Sequence, residues 1–571
     1  MKFQLNSQDL RFGFGASSNA VVKFPGLGIP TAPVGAAAVG DYSDTTLGNV
    51  GTSGDFGYDS PAVSQWDVVP MQEVVEYPYV GLVAFHVNNI DKVEFSLNGG
   101  AWTEVTEMAE NPSTGLYEYC VRVDSSSLQD DDEIELRAKI TPLTAGQVYG
   151  IDPITIKYNY AAELTGWCAP DGSDSTGDAT EENPCRTPHR ALQLLVGSTA
   201  YTEKITINCK AGEYVPANSA YAYNPPSGSG WLTIKAAPGV DASSVIFRTT
   251  IDSGSISYAG IRTLYTKYQN VRFECTVGSR DFSGQAQSTN VWLDNVTVSL
   301  SAASGTANNV WQSNTWLHRY ATSCTFQNLA NGPKFSDLLR GCTVSNMIAD
   351  AIGGSRLSAN MTITDQIEPD GVAHPDVLEV FDSLDHSIFY NVVGLDLEGQ
   401  GIFVATEELL SENIAFVNCL IVLDSGVAID GPPASQIRNT EVNTLALRNI
   451  LIDSCTILNG QTFIVDEGSS PSVASRDLVL RNSILFGPSS NLVSSPADPS
   501  DALQLANNWF IDDDGNFACV GGTFSTTTAT YSSVADLVPT EAGIVGQAVR
   551  PDIKTDARGI LRTTNNIGAL G

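Results

Sequence analysis

The chain has little positive charge and no long apolar runs. Thirty Lys and Arg stand against 64 Asp and Glu, which gives a formal net charge of −34 over 571 residues. That balance argues against nucleic acid or an anionic membrane surface as a partner. No 18 consecutive residues are apolar, so no membrane-spanning helix is predicted. The start, MKFQLNSQDLRFGFG, also lacks the apolar stretch of a secretory signal peptide.

Charged residues of both signs make up only 16% of the chain, while residues that favour turns are abundant. Fifty Gly and 27 Pro, with many Ser, Thr, Asn and Asp, indicate frequent chain reversals. A length of 571 residues exceeds what one hydrophobic core normally serves. We therefore predict a large, rigid, all-β protein of several domains.

Three segments, 411–423, 447–459 and 475–487, share one order of apolar and polar positions. Each alternates apolar and polar residues and then places an Asn-Cys, Ser-Cys or Asn-Ser pair before a second apolar run, a pattern that predicts a strand, a bend and a strand. Looser copies lie upstream, at irregular spacing. Such a repeat is typical of stacked coils that keep their inward side chains and vary their loops. We predict a parallel β-helix.

Five of the ten cysteines fall on equivalent inward positions of these coils, which predicts a buried ladder of small side chains rather than disulfides. They are Cys275, Cys324, Cys342, Cys419 and Cys455. Cys168 and Cys185 either join in a disulfide that closes a loop or fill core positions as free thiols. The cysteines therefore leave the redox compartment open.

The composition and the strand spacing change twice along the chain. Residues 1–62 are rich in Gly, Ala, Ser and Pro and predict an extended arm that becomes ordered on another chain. Residues 63–162 contain evenly spaced strands of antiparallel type. Within them, KVEFSLNGGAWTEV resembles the strand, turn and strand of an immunoglobulin-like β-sandwich, which implies that Trp102 is buried.

Residues 163–571 resemble a known family at both ends. WCAPDGSDSTGDATEENPCRTPHRALQLLV (167–196) is similar to the opening segment of right-handed parallel β-helix proteins of the pectate-lyase-like superfamily, and TDARGILRTTNNIGALG (555–571) is similar to their closing segment. The resemblance implies a right-handed parallel β-helix whose open end is covered by a helix at 188–196. This family includes polysaccharide lyases, hydrolases, epimerases, phage tailspikes and adhesins without activity, so it implies a fold more than a function.

Residues that carry chemistry concentrate in 350–381, followed by EGQGIFV at 398–404. Acidic residues and one histidine lie close together there, and further acids and an arginine precede them by about one coil. Because adjacent coils stack ~4.8 Å apart, such residues share one surface patch. We predict a catalytic set of His374, Asp376, Asp350, Arg356 and Asp370, with Glu379 and Asp365 nearby.

Two reactions fit this set. In a lyase, His374 or Arg356 removes the proton beside a uronate carboxyl, which a cation held by Asp370 and Asp376 neutralises; this makes Ca²⁺ a candidate cofactor. In a hydrolase, two carboxylates among Asp350, Asp376 and Glu379 serve as acid and as base or nucleophile. A purely structural corner, with a turn at Pro375, is the competing interpretation.

A second candidate lies in NNVWQSNTWLHRY (308–320), where Trp311, Trp316 and His318 either stack on sugar rings or pack in the core.

The leading functional prediction is a tail fibre or tailspike on a virion surface. Such a protein attaches through residues 1–60 to other virion subunits, forms a homotrimer and binds cell-surface polysaccharide. A secreted polysaccharide lyase or glycoside hydrolase is the first alternative, and a surface adhesin without activity is the second.

Overall fold

The computed structural model describes residues 37–38, 61–143, 147–197, 203–214, 230–249, 265–275, 290–300, 318–366, 375–381, 386–406, 412–423, 435–439, 448–458, 463–466, 476–486, 503–506, 509–511, 517–519, 555–557 and 569. Nearly all regular elements in these residues are strands, which confirms the all-β class. No helix within them is long and apolar enough to cross a membrane.

The N-terminal module is built from two sheets around one core. Its strands are β1 (Ala37–Ala38), β2 (Val63–Trp66), β3 (Glu73–Val74), β4 (Tyr79–Phe85), β5 (Ile90–Leu97), β6 (Thr103–Val105), β7 (Ala109–Glu110), β8 (Tyr117–Arg122), β9 (Glu133–Pro142) and β10 (Tyr149–Tyr158). One sheet has the order β1-β10-β9-β5-β6, with β3 also on β10, and the other has the order β2-β4-β8-β7. All pairs are antiparallel except that of β3 with β10.

Trp102 is not buried as predicted. It lies in the hairpin between β5 and β6 with 40% of its surface exposed. The Lys139 ammonium sits 3.8 Å from the centre of its ring. The core position is taken instead by Trp66, which is fully buried and packs against Phe95.

The following strands coil into the predicted parallel β-helix, which is confirmed. They are β11 (Glu163–Cys168), β12 (Lys204–Cys209), β13 (Gly212–Tyr214), β14 (Leu232–Ala236), β15 (Val245–Thr249), β16 (Tyr265–Gln269), β17 (Arg272–Cys275), β18 (Asn290–Asp294), β19 (Thr297–Leu300), β20 (His318–Thr322), β21 (Thr325–Gln327), β22 (Leu338–Arg340), β23 (Thr343–Ser345), β24 (Ile352–Gly353), β25 (Leu357–Gln366), β26 (Asp376–Phe381), β27 (Ser387–Leu397), β28 (Gln400–Thr406), β29 (Glu412–Val417), β30 (Leu420–Leu423), β31 (Ser435–Asn439), β32 (Arg448–Asp453), β33 (Thr456–Leu458), β34 (Phe463–Asp466), β35 (Arg476–Arg481), β36 (Ile484–Phe486), β37 (Leu503–Ala506), β38 (Trp509–Ile511) and β39 (Phe517–Cys519).

These strands form three faces. The first face runs β11-β12-β14-β16-β18-β20-β22-β25-β27-β29-β32-β35-β37, and the second runs β13-β15-β17-β19-β21-β23 and, past the long strands β25 and β27, β30-β33-β36-β38. The third face is the sheet β24-β26-β28-β31-β34. Pairing between successive coils is parallel, whereas β38 and β39 pair antiparallel at the far end.

The sequence pattern of the coils has a backbone cause at the corner between the first and second faces. Asn418, Ser454 and Asn482 occupy the left-handed region there, with φ of 58°, 56° and 49°. Asn tolerates this conformation because its short polar side chain bonds locally. Asn418 Nδ2 donates to Asn391 Oδ1 one coil earlier at 2.6 Å, so the corner residues stack in register.

The residue after each corner points inward, which explains the cysteines. Cys324, Cys342, Cys419 and Cys455 are buried free thiols, as predicted. For Cys275, in β17, the side chain lies outside the described set. Cys168 and Cys185 are also free and buried, so they form no disulfide.

A helix covers the first coil. This helix is α1 (Pro188–Val196). The other helix within the described residues is a short 3-10 helix at Ala242–Ser244. The Thr187 hydroxyl caps α1 by accepting from Arg190 N, and Asp174 Oδ1 in turn accepts from Thr187 N at 3.0 Å. Ala191, Leu192 and Val196 of α1 are buried in the β-helix core.

The N-terminal module lies along the β-helix and shares a core with its first face. The outward side chains of that face that join the module's core are Trp231, Tyr265, Tyr320, Leu338, Leu357, Ala359, Ile388, Tyr390, Ala415, Val417, Leu451 and Val479. Polar contacts fix the alignment: Arg340 pairs with Asp67 at 2.5 Å, and Arg481 Nη2 donates to Asn89 Oδ1 at 2.8 Å. The inward residues of β24, β26 and β28 belong to the other core, so the third face lies outside this contact.

Candidate active site

A lysine joins two acidic residues across the start of the third face. Lys334 Nζ lies 2.5 Å from Asp350 Oδ2 and 2.6 Å from Glu379 Oε2. Lys334 pairs in register with Gly353, and Gly353 pairs in register with Glu379. The three positions therefore form one row across three coils, and the lysine reaches along that row.

Gly353 makes this reach possible because it has no side chain. A Cβ placed there would lie 2.7 Å from Lys334 Cγ and 2.9 Å from Cδ, closer than real Cβ contacts. The aliphatic part of Lys334 thus passes directly over Gly353. Its ammonium then meets Glu379 on the far side.

A third carboxylate completes the group. Oxygens of Asp350, Asp376 and Glu379 all lie within 4.8 Å of one another. Asp376 N donates to Asp350 Oδ1 at 3.0 Å, and Ala351 N donates to Asp376 O at 2.8 Å, so the backbone holds the two aspartates together. Asp376 is buried, while the side chains of Asp350 and Glu379 are 17% and 18% exposed. We call Lys334, Asp350, Asp376 and Glu379 the acidic cluster.

The electrostatics of the acidic cluster separate the roles of its members. Burial alone would lower the pKa of Lys334, but the Asp350 and Glu379 carboxylates outweigh it and raise that pKa, so the ammonium stays charged. Burial, with the nearby Asp350 charge, raises the pKa of Glu379 in spite of Lys334. Lys334 is therefore a fixed cation rather than a base, and Glu379 is suited to hold a proton.

Two glutamines border Asp376. Gln366 Nε2 donates to Ala349 O at 2.8 Å and to Asp376 O at 3.2 Å. Gln400 pairs in register with Asp376 on the next coil and is fully buried. Neither amide atom of Gln400 has a hydrogen-bond partner.

The predicted site residues divide into three groups. Asp350 and Asp376 come together, with Glu379 beside them. Arg356 makes its ion pair elsewhere, with Nε 3.6 Å from Asp337 Oδ1. His374 and Asp370 lie outside the described residues.

Arg356 belongs to a separate polar group at the next corner of the coil. His318 Nδ1 lies 3.3 Å from Asp337 Oδ2, and Arg319 N donates to the same oxygen at 2.9 Å. His318 is thus held by Asp337, whereas Trp311 and Trp316 fall outside the described part of the chain. His386 Nε2, near this group, lies 3.1 Å from Gln65 Oε1 of the N-terminal module. Burial and the Arg356 charge lower the pKa of His386 to about 3.

Lys334 and Gln400 were missed by the sequence reasoning. Lys334 precedes Glu379 by 45 residues, and only the register of the third face brings the two side chains together. Gln400 lies in the EGQGIFV segment, which the sequence analysis noted. Knowledge of its strand register with Asp376 would have identified it as a site residue.

The acidic cluster offers carboxylate oxygens, the ligands that Ca²⁺ prefers. Lys334 Nζ already lies between two of these carboxylates. A Ca²⁺ ion bound by Asp350, Asp376 and Glu379 would share their oxygens with the ammonium. The donor types fit Ca²⁺, and the lysine supplies part of the charge that such an ion would bring.

No protein-family model matches the chain, and no curated protein is significantly similar to it. Among solved structures, the chain is similar to a family 28 exopolygalacturonase of Yersinia enterocolitica, at 10% identity and a TM-score of 0.30, over 78% of this chain and 99% of that one. It is also similar to the catalytic domain of a GH87 α-1,3-glucanase in complex with nigerose, at 13% identity and a TM-score of 0.22, over 80% of this chain and 87% of that one. Likenesses this distant transfer no activity.

Proposed function

We propose that the β-helix binds a polysaccharide at its third face and hydrolyses it at the acidic cluster. The observation that supports this most directly is the mutual approach of Asp350, Asp376 and Glu379 to within 4.8 Å. Retaining glycoside hydrolases place their two carboxyl groups ~5 Å apart, whereas inverting enzymes need ~6.5–9.5 Å. Because the nearest oxygens of these carboxyl groups lie within the shorter of the two spacings, we assign a retaining mechanism.

Each residue has a distinct role in this proposal. Glu379, whose pKa is raised, donates its proton to the leaving glycosidic oxygen and later takes a proton from water. Asp350 is the nucleophile, and Asp376 positions it through the backbone hydrogen bond to Asp350 Oδ1. Lys334 holds Asp350 and Glu379 at a fixed separation. A lyase would need a base: the raised pKa of Lys334 removes the lysine from that role, and Arg356, one of the two bases predicted from the sequence, pairs with Asp337 instead.

A polysaccharide screen tests this function. New reducing ends would show hydrolysis, and an ultraviolet-absorbing unsaturated product would show a lyase instead. Glu379→Gln should lower turnover at least ~10²-fold, as expected for a lost general acid. Asp294→Asn is the matched control, because Asp294 also pairs with a lysine, Lys267 at 2.8 Å, but lies on the first face. Full turnover in Glu379→Gln, or an unsaturated product that depends on His374, would overturn the hydrolase assignment.

The biological setting extends this proposal. We infer that the chain is a tail fibre or tailspike, located on a virion surface and attached through residues 1–60. The composition of that arm and the rigid β-helix support this setting, while a secreted enzyme or an adhesin without activity are the alternatives. A homotrimer would use faces other than the first, since the N-terminal module already covers that one.

A further inference from the structure

We propose that the glycan bound at the acidic cluster carries free amino groups, as a de-N-acetylated hexosamine polymer does. This inference rests on the proposed glycan-binding function and names its substrate class. It begins with the distribution of charge along the chain. Between Arg356 and Arg438 there is no Lys or Arg, and there are 14 Asp and Glu. That segment supplies β26 and β28, which carry Asp376, Glu379 and Gln400.

The acidic cluster has the same sign of charge as the sequence segment that supplies Asp376 and Glu379. The acidic cluster contains three acidic side chains and one ammonium, and that ammonium already contacts two of them. Arg356, the nearest arginine along the chain, is engaged by Asp337. A uronate carboxyl entering this site would therefore meet acidic side chains, and Lys334, the cation of the cluster, already contacts two of them. A protonated sugar amine would instead be attracted by the negative charge of the acidic cluster.

The geometry of Lys334 shows how an ammonium binds here. Its Nζ makes charge-assisted hydrogen bonds to two acidic side chains, Asp350 and Glu379. Asp376 adds a carboxylate with an oxygen within 4.8 Å of those of Asp350 and Glu379. A ligand amine that reached Asp376 would repeat the arrangement already made by the lysine.

Gln400 provides an independent indication of a polar ligand. A buried amide without hydrogen bonds costs roughly 1–3 kcal/mol per unmet group, and a polar ligand that supplies the partners removes this cost. Gln400 is fully buried, has no partner at either amide atom, and stands in register with Asp376, on the same side of the sheet. Its oxygen would accept from an amine and its nitrogen would donate to a neighbouring hydroxyl. The pair of Asp376 and Gln400 thus matches the amine and hydroxyl of an amino sugar.

Binding of three oligosaccharides of equal length to the full chain tests this inference. The probes are hexamers of glucosamine, of N-acetylglucosamine and of galacturonate, the last with and without Ca²⁺, and the readout is calorimetric affinity at a pH that keeps the amine protonated. We expect the glucosamine hexamer to bind at least tenfold more tightly than its acetylated counterpart. The advantage should shrink near ~1 M salt, where the Debye length is ~3 Å.

Variants separate a specific site from the general attraction of an acidic protein. Gln400→Leu and Asp376→Asn should each weaken glucosamine binding about tenfold, the size expected for a hydrogen bond to a charged group. Asp294→Asn, which removes one lysine-paired carboxylate on another face, should leave the affinity unchanged. Equal losses in Asp294→Asn, or full affinity in Gln400→Leu, would mean general attraction only and would overturn the inference.

The outcomes also distinguish this inference from the proposed hydrolysis. Glucosamine binding without new reducing ends keeps the substrate class and removes hydrolysis. Cleavage of the acetylated or galacturonate hexamer, with no preference for glucosamine, keeps hydrolysis and removes the substrate class. Tightest binding of galacturonate in the presence of Ca²⁺ would overturn the amine in favour of a cation-bridged acidic glycan.

Discussion

Replacing Lys334 with Met would test the electrostatic account of the acidic cluster. Methionine keeps an unbranched apolar chain over Gly353 but removes the ammonium between Asp350 and Glu379. Two partly buried carboxylates within 4.8 Å would then face each other without a cation. Removing one partner from a buried ion pair costs roughly 3–5 kcal/mol. The 11–18% exposure of these side chains places the expected loss at the lower end, about 3 kcal/mol.

The loss of stability in Lys334→Met should depend on pH, and the protonation of Glu379 decides whether the loss grows or shrinks as pH rises. The folded-state pKa of Glu379 is already raised above its ordinary value of 4.5. Without Lys334 it should rise further, because the cation that opposed protonation is gone. A carboxyl with a raised folded-state pKa destabilises the fold as pH increases from the unfolded-state pKa to the folded-state pKa. Lys334→Met should therefore resemble the parent near pH 4.5 and lose most stability in alkaline buffer.

Thermal unfolding followed by circular dichroism measures this effect. At ~2.1 cal/mol/K per residue, a chain of this length changes its unfolding midpoint by about 1 °C per kcal/mol, so Lys334→Met should lower Tm by about 3 °C at high pH. The double variant Lys334→Met with Glu379→Gln should recover part of that loss. Lys267→Met is the control, because Lys267 pairs with the single carboxylate of Asp294. A Tm drop in Lys334→Met that is the same at all pH values would contradict this account.

Two further predictions concern the contact between the β-helix and the N-terminal module, and the arm that precedes this module. His386 is neutral and buried against Gln65, and its pKa falls from 6.5 to about 3 on folding; stability should therefore decline as pH falls through that interval, by at most about 5 kcal/mol. His386→Gln should show a shallower decline in Tm between pH 7 and pH 4, and an unchanged slope would exclude His386 as the cause. Deleting residues 1–60 should leave a folded protein that no longer joins its assembly, as measured by co-sedimentation; a truncated chain that still assembles would refute the attachment role.

Several site relations were predictable because they follow from coil spacing. Asp350 and Asp376 were expected together, since the sequence interval between them matches about one coil and adjacent coils are ~4.8 Å apart. The position of Lys334 was not predictable, because variable loops hide how many residues each coil contains. The pairing of Arg356 with Asp337 likewise depends on which corner each residue occupies.

The side-by-side contact of the N-terminal module with the first face was also hidden in the sequence. Tyr265, Tyr320 and Tyr390 point outward from their strands, where single aromatic residues are common on any surface. Nothing local indicates that another part of the chain covers them. The prediction that Trp102 is buried was wrong because the alternation of residues along a hairpin does not show which side of the hairpin faces the core.

The sequence by itself determined the coil: alternating apolar residues, left-handed Asn or Ser corners such as Asn418, and small inward residues such as Cys419. These features are local, because backbone conformation and inward packing repeat within each turn. Only the tertiary structure decided which coils align, and therefore that Lys334 passes over Gly353 to Glu379 and that Gln400 stands beside Asp376. Register between distant strands is set by the summed packing of all coils, which no short stretch of sequence contains.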